Sequence, residues 1–372
     1  MNYILFDDKS WQNLLPLTFT KPVCEIRTGI LTLKEKWEKM LQSPVSYKTE
    51  EYLSEKYPIK VATENILING SVIPNKYLIE EIQQLDINKA LVSGTKILAL
   101  KINKDQLSNF NPFSIENFEK ESFMSEFISI EWPWDIFKLN DVNIKADFDL
   151  LTQNRKSQPL SKTNNVVGKE NIFIEEGAKI EFVTLNASMG PIYIGKDAEI
   201  MEGSVLRGPF ALCEHAVIKM AAKIYGPTTI GPYSKVGGEI NNVVIIGFSN
   251  KAHDGFLGNS VIGEWCNLGA DTNNSNLKNN YAEVRLWNYE KERFIKTGLQ
   301  FCGLIMGDHS KCAINTMFNT GTVIGVNANI FGSGFPRNFV PSFSWGGAQG
   351  FTNYRLDKAF EVAEKVLERR NK

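Results

Sequence analysis

The sequence predicts two domains of different physics: a mixed α/β domain, then a β-helix built from hexapeptide repeats and closed by a terminal helix. Three observations point there. A length of 372 residues suits about two domains of ordinary size. Glycine is unevenly divided, with only Gly29, Gly70 and Gly94 before residue 150 and the other 25 of 28 from Gly168 onward. From Ile194, a branched aliphatic residue recurs every six positions, at Ile200, Leu206, Leu212, Ile218, Ile224, Ile230 and Val236.

A period of six fits neither a helix nor simple strand alternation. It is the signature of a chain wound as a prism, in which one aliphatic residue per short strand points inward. Glycines beside these positions, such as Gly195, Gly231 and Gly237, let the backbone turn closely. A second phase runs Met306, Cys312, Phe318, Ile324, Ile330. Residues 238–305 break the register between the two phases. Within them Asn273 to Arg293 is polar, with an alternating stretch from Ala282 to Tyr289 that predicts a protruding hairpin or loop.

In the first half, Tyr3–Phe6 reads as a short buried strand. Ile30 to Leu41 carries a helical stripe of Ile30, Leu33, Trp37 and Leu41. Asn65–Ile68, Lys89–Val92 and Ile97–Ile102 read as strands, and Tyr77–Leu85 as a helix. Strands interleaved with helices argue for an open α/β sheet. The expected organisation is 1–152 for this domain, 153–167 for a polar linker, 168–350 for the β-helix and 351–372 for an amphipathic closing helix.

Composition removes several function classes. Lys+Arg is 41 against Asp+Glu 42, so no basic footprint for nucleic acid exists. No run of ~18 apolar residues predicts a membrane span. The start, Met1-Asn-Tyr-Ile-Leu-Phe-Asp7-Asp8, has no basic leader, which points to the cytoplasm. Five scattered cysteines without a Cys-x-x-Cys pair support neither a disulfide framework nor a zinc site.

Of the three histidines, His253 stands out. It lies at the register break in Asn250-Lys-Ala-His253-Asp-Gly-Phe256-Leu-Gly258, ahead of Asn267-Leu-Gly-Ala270-Asp-Thr-Asn-Asn-Ser-Asn276. Residues 250–276 resemble the acetyltransferase domain of the bifunctional N-acetylglucosamine-1-phosphate uridyltransferase / glucosamine-1-phosphate acetyltransferase family. His253, Leu257-Gly258, Ile262-Gly263, Asn267, Gly269-Ala270, Thr272 and Asn276 fall in register with that family's motif. The resemblance implies a left-handed β-helix, a homotrimer and acetyl-CoA as cosubstrate. It implies His253 as general base toward an amino sugar, with Asn276 and Lys251 beside it. Ala270 and Ala313 would lie along the pantetheine arm. Arg207, Asn241, Phe256 and Asn267 would face the sugar phosphate. Two positions depart from the family: Phe256 replaces a tyrosine and Asn241 a lysine.

The first half resembles the same family's Rossmann-like nucleotidyltransferase domain more faintly. Pro16-Leu17-Thr18, Lys21-Pro22 and Arg27 follow the first strand, without the glycines of a phosphate loop. Thr18, Lys21 and Arg27 are the expected phosphate contacts. Asn69-Gly70-Ser71 follows the strand Ile66–Ile68, where the family has Gly-Asp with an aspartate for Mg²⁺. Mg²⁺ is expected through the resemblance, with its ligands open and Asp7 or Asp8 as possibilities. The implied function is sugar-nucleotide synthesis from a sugar 1-phosphate, a nucleoside triphosphate and acetyl-CoA. Two alternatives stay open: transfer to another hexose 1-phosphate with the β-helix as a trimerising scaffold, or a degenerate sugar-nucleotide-binding protein.

Overall fold

The protein is described by a computed structural model covering residues 1–108, 110–112 and 116–370. Its contacts form two compact units. One comprises Met1–Leu14, Thr20–Ile26 and Leu31–Trp132; the other comprises Leu15–Phe19, Arg27–Ile30 and everything from Pro133.

The first unit is built on a six-stranded sheet. Its order is Val45–Lys48, Asn2–Phe6, Glu64–Asn69, Lys96–Asn103, Lys89–Ser93, Glu119–Ser122. The first three strands are parallel, and Lys96–Asn103 runs antiparallel to both of its neighbours. Ile4, Phe6, Leu67, Leu100 and Ile102 share one buried cluster. The expected helix starts at Leu33 rather than Ile30. Thr32 caps it: its hydroxyl accepts the Glu35 N–H while the Glu35 carboxylate accepts the Thr32 N–H. Trp37, fully buried on this helix, donates its indole N–H to the Val72 carbonyl at 2.9 Å.

The second unit is a parallel β-helix with three faces. One face stacks Ile172–Ile174, Ile192–Ile194, Phe210–Leu212 and Thr228–Ile230, and a second stacks Thr184–Asn186, Val205–Arg207 and Lys223–Tyr225. The third stacks Lys179–Ile180, Glu199–Ile200, Val217–Ile218 and Lys235–Val236. Every position of both six-residue phases is buried, and all belong to one core.

Two expectations are refined here. The register break at 238–305 lies within a prism that continues through it, as expected over 168–350: Ile240, Ile245, Leu257, Ile262 and Leu268 join the same core. The strands Glu239–Gly247 and Phe256–Glu264 run straight through one corner, so the aliphatic step shortens to five and the six-residue count slips. The segment 153–167 is also not a free linker, because Asn165–Val167 already pairs with Thr184–Asn186. The expected hairpin is present as Arg285–Asn288 against Arg293–Lys296.

Helices Pro133–Lys138 and Asn140–Thr152 belong to this unit and hold the segment Arg27–Ile30. The Gly29 N–H donates to Asn140 Oδ1 at 2.7 Å and the Ile30 N–H to Asp147 Oδ2 at 2.8 Å. Gly29 has φ +76°, and a Cβ there would lie 2.4 Å from the Asp147 carboxylate, so only glycine fits. The chain closes with the helix Leu356–Glu368. No helix among the described residues is long and apolar enough to cross a membrane.

Candidate functional site

The site of interest forms where one corner of the prism outgrows the corner next to it. The inward column of the third face reads Ile200, Ile218, Val236, Lys251, Leu268, Cys312, Ile330. After Ile218 the chain takes six residues to reach the next inward position, Ile224. After Val236 it reaches Ile240 in four, through Gly237-Gly238. After Lys251 it again takes six, to Leu257. Corner 252–256 therefore overhangs a corner two residues shorter. The two glycines make this possible: a Cβ on Gly237 would lie 2.6 Å from the Ala252 carbonyl, and Gly238 has φ +78°.

His253 is carried on the overhang and is exposed. It borders a cavity of about 840 Å³ with Asn267, Gly269, Ala270 and the aromatic pair Phe248 and Trp265, facing Val362 and Lys365 of the terminal helix. Gly269 keeps the cavity floor flat, since a Cβ there would lie 2.4 Å from the Ala313 carbonyl carbon. Beside it the Asn315 N–H donates to the Ala270 carbonyl at 2.8 Å, tying the two coils together. Ala313 lies under Gly269, and its neighbour Ile314 reaches the cavity.

The other expected residues of this region gather on the adjoining face. The Phe256 ring and the Asn276 amide meet over the bare Gly258, and Asn241 is in register with Gly258. The Asn276 amide donates to Asn259 Oδ1 at 2.8 Å, and no hydrogen bond joins it to His253 among the described residues. Arg207 is exposed on the same face, on the strand Val205–Arg207. Lys251 is not at the surface. It is 1% exposed, and its ammonium donates to the carbonyls of Gly237, His253 and Asp254 at 3.2, 2.7 and 3.2 Å.

A feature that the six-residue count did not reveal is a ladder of rings along the neighbouring corner. His215, Tyr233, Phe248, Trp265 and His309 stack in sequence, with centroids 4.7, 5.1, 4.4 and 6.2 Å apart. All five have φ between 53° and 61°, a conformation costly for a bulky residue. Stacking offsets that cost. The signal in the sequence is Gly-x-aromatic: Gly231-Pro-Tyr233, Gly263-Glu-Trp265 and Gly307-Asp-His309.

In the first unit, the strands Asn2–Phe6 and Glu64–Asn69 end side by side, the position where open α/β sheets receive ligands. Asp8 accepts from the Asn69 amide at 2.8 Å and pairs with the Lys96 ammonium at 3.3 Å; Lys96 also pairs with Glu131. Lys96 and the Ser10 and Asn69 donors hold the Asp8 carboxyl below its usual range against the opposing effect of burial. Asp7 is buried, accepts the Val23 N–H and the Thr49 hydroxyl, and its carboxyl is pushed up to about 7 by burial.

The phosphate contacts expected here are placed otherwise. Thr18 is 0% and Lys21 2% exposed. Arg27 is buried in the second unit, where its guanidinium donates to the Ile30 and Ile246 carbonyls. Without glycines, the segment cannot offer a cradle of amides, and its cations are turned inward. Asn69 is fully buried, with its amide held by Asp8 and the Ile97 carbonyl, and the Gly70 N–H donates to the Phe6 carbonyl at 2.8 Å. No group of three or more His, Cys, Asp or Glu among the described residues could hold a metal ion. Asp8 and Glu131 share a lysine ammonium, so this arrangement does not fit Mg²⁺.

Comparison with known proteins finds similarity to a family model in the first part of the chain. Residues 3–156 match the family model described as "Sugar nucleotidyl transferase". The match covers about two fifths of the chain. Over 171 residues the chain is 33% identical to a bifunctional sugar-1-phosphate nucleotidylyltransferase/acetyltransferase of Sulfurisphaera tokodaii, covering 45% of this chain and 40% of that protein. It is 29% identical over 195 residues to bifunctional protein GlmU of Methanocaldococcus jannaschii, covering 52% of this chain and 41% of that one. The chain thus spans about two fifths of the length of these curated relatives. A solved structure of AntD, an N-acyltransferase from Bacillus cereus in complex with dTDP and 3-hydroxybutyryl-CoA, covers 56% of this chain and 92% of its own at 15% identity and a TM-score of 0.22.

Proposed function

We propose that the protein is a transferase of sugar-nucleotide synthesis whose β-helix acetylates the amine of an amino-sugar 1-phosphate, with acetyl-CoA as donor. The observation that carries this reading is His253 on an overhanging corner, at the edge of a cavity floored by the bare backbone of Gly269 beside the small side chain of Ala270. A neutral imidazole there takes a proton from the attacking amine. Nitrogen bonds to the thioester carbonyl carbon, the C–S bond breaks, and CoA leaves as a thiolate that regains a proton. The flat floor lets a long thin donor lie against the coils, and the backbone N–H of Ala270 suits the developing oxyanion.

For the first unit we propose binding of the nucleotide end of the same chemistry, in the manner of a sugar-1-phosphate nucleotidyltransferase of the UDP-N-acetylglucosamine pyrophosphorylase type. The family match over residues 3–156 supports it. A second reading is favoured by the Lys96 ammonium between Asp8 and Glu131 and by the buried Lys21: this unit binds a sugar nucleotide without transferring one. One experiment separates the two halves. With acetyl-CoA and glucosamine 1-phosphate, free thiol should appear; with N-acetylglucosamine 1-phosphate, UTP and Mg²⁺ instead, pyrophosphate release reads the first unit alone. Thiol without pyrophosphate selects the second reading. No thiol above the blank removes the acetyl-transfer proposal.

A further inference from the structure

The inward column of the third face is aliphatic or cysteine in every coil from Ile200 to Ile330 except one, where Lys251 stands. A lysine in that place needs a reason, because burying an ammonium is costly unless every donor is met. Here each is met. The ammonium has three N–H donors, and three carbonyls accept them: Gly237, His253 and Asp254. A neutral amine could donate only two. Burial pushes the Lys251 pKa down to about 8, with Asp254 and Asp271 opposing, so the cation is still the main form at pH 7.

The three acceptors are not a random set. Gly237 lies in the short corner, and His253 and Asp254 lie in the corner that overhangs it. The overhang has two extra residues with no matching corner beneath, and among the described residues no backbone N–H donates to the Gly237 or His253 carbonyl. We propose that Lys251 is a positioning residue: its buried ammonium pins the overhanging corner to the short one and fixes the direction in which His253 faces the cavity. This rests on the reading of His253 as the base. An aliphatic residue, as in the neighbouring coils, would fill the core equally well but leave the corner free to tilt. Displacing a catalytic group by about 1 Å can cost about 100-fold in rate.

The test is a double-mutant cycle on the full chain with Lys251→Met and His253→Asn, reading acetyl transfer by thiol release and backbone amide exchange by mass spectrometry. Lys251→Met should lower kcat about 10- to 100-fold, with KM for acetyl-CoA changed less than about 3-fold. In the His253→Asn background it should cause no further loss. Amides of 252–256 should exchange faster while those of the neighbouring coils stay protected. An unchanged kcat, a loss that multiplies with that of His253→Asn, or unaltered exchange at 252–256 would overturn the proposal. If Lys251→Met does not fold, Lys251→Gln, which keeps two donors, goes through the same cycle against the same criteria. Failure of the base reading is seen separately, as a wild-type rate in His253→Asn alone; exchange at 252–256 then still decides what Lys251 does.

Discussion

His253 is exposed because the corner beneath it is short, and at the residue scale its chemistry can be separated from its packing. Replacing it with Asn should lower acetyl transfer by about 10²- to 10⁴-fold, the usual worth of a general base. Melting temperature and acetyl-CoA binding should hold, since the side chain packs into no core. A lower melting temperature with unchanged turnover per folded molecule would sink the role. Asp7 makes a different prediction. Burial raises its carboxyl to about 7 from the ordinary 3.8, so between those values the folded protein holds a proton that the unfolded chain releases. Stability then falls as pH rises through that window and stays low above it. Asp7→Asn should raise the melting temperature at pH 8 and matter little near pH 4, because its amide can still accept from Val23 and donate to Thr49. Equal shifts at both pH values would refute the assignment.

At the scale of the element, the coil was legible and the corner was not. Aliphatic residues at 194 through 236 announce the prism because the inward position is a burial rule, and burial is written in residue type. The strands 239–247 and 256–264 escape the count because they run through a corner, which shortens the step without changing composition. Lys251 escaped for a related reason: a lysine in sequence reads as surface, and only the register with Val236 and Leu268 reveals it as inward. In the first half of the sequence the strands were readable, but the fate of Thr18, Lys21 and Arg27 was not, since nothing local says which way a cation in a glycine-free loop will turn. Gly269→Ala tests the coil directly. Its Cβ would meet the Ala313 backbone at 2.4 Å, so the substitution should cost about 1–3 kcal/mol in urea unfolding and raise KM for acetyl-CoA. Thr32→Ala should cost about 1 kcal/mol by removing the cap, with thiol release untouched.

For the whole molecule, among the described residues the strands of each coil pair with those of the coils on either side, so the β-helix behaves as a stack rather than a globule. We expect its subunits to associate as a homotrimer, and light scattering at micromolar concentration checks this: a monomer mass would refute it. The stack is also a ruler. Strand neighbours lie about 4.8 Å apart, and four steps carry the chain from Ile180 to Lys251. The His253 corner is therefore set roughly 19 Å along the axis from the start of the prism. Ile194 and Leu212 are register mates 18 residues apart. Excising residues 195–212 would join one coil cleanly to the next but one, and slide the cavity a single graduation toward the start with its own walls intact. Excising one residue within a strand instead would turn the side chains after it over until a corner took up the slip, as the short corner after Val236 does. The distance at which the base is held is thus changed by counting whole coils.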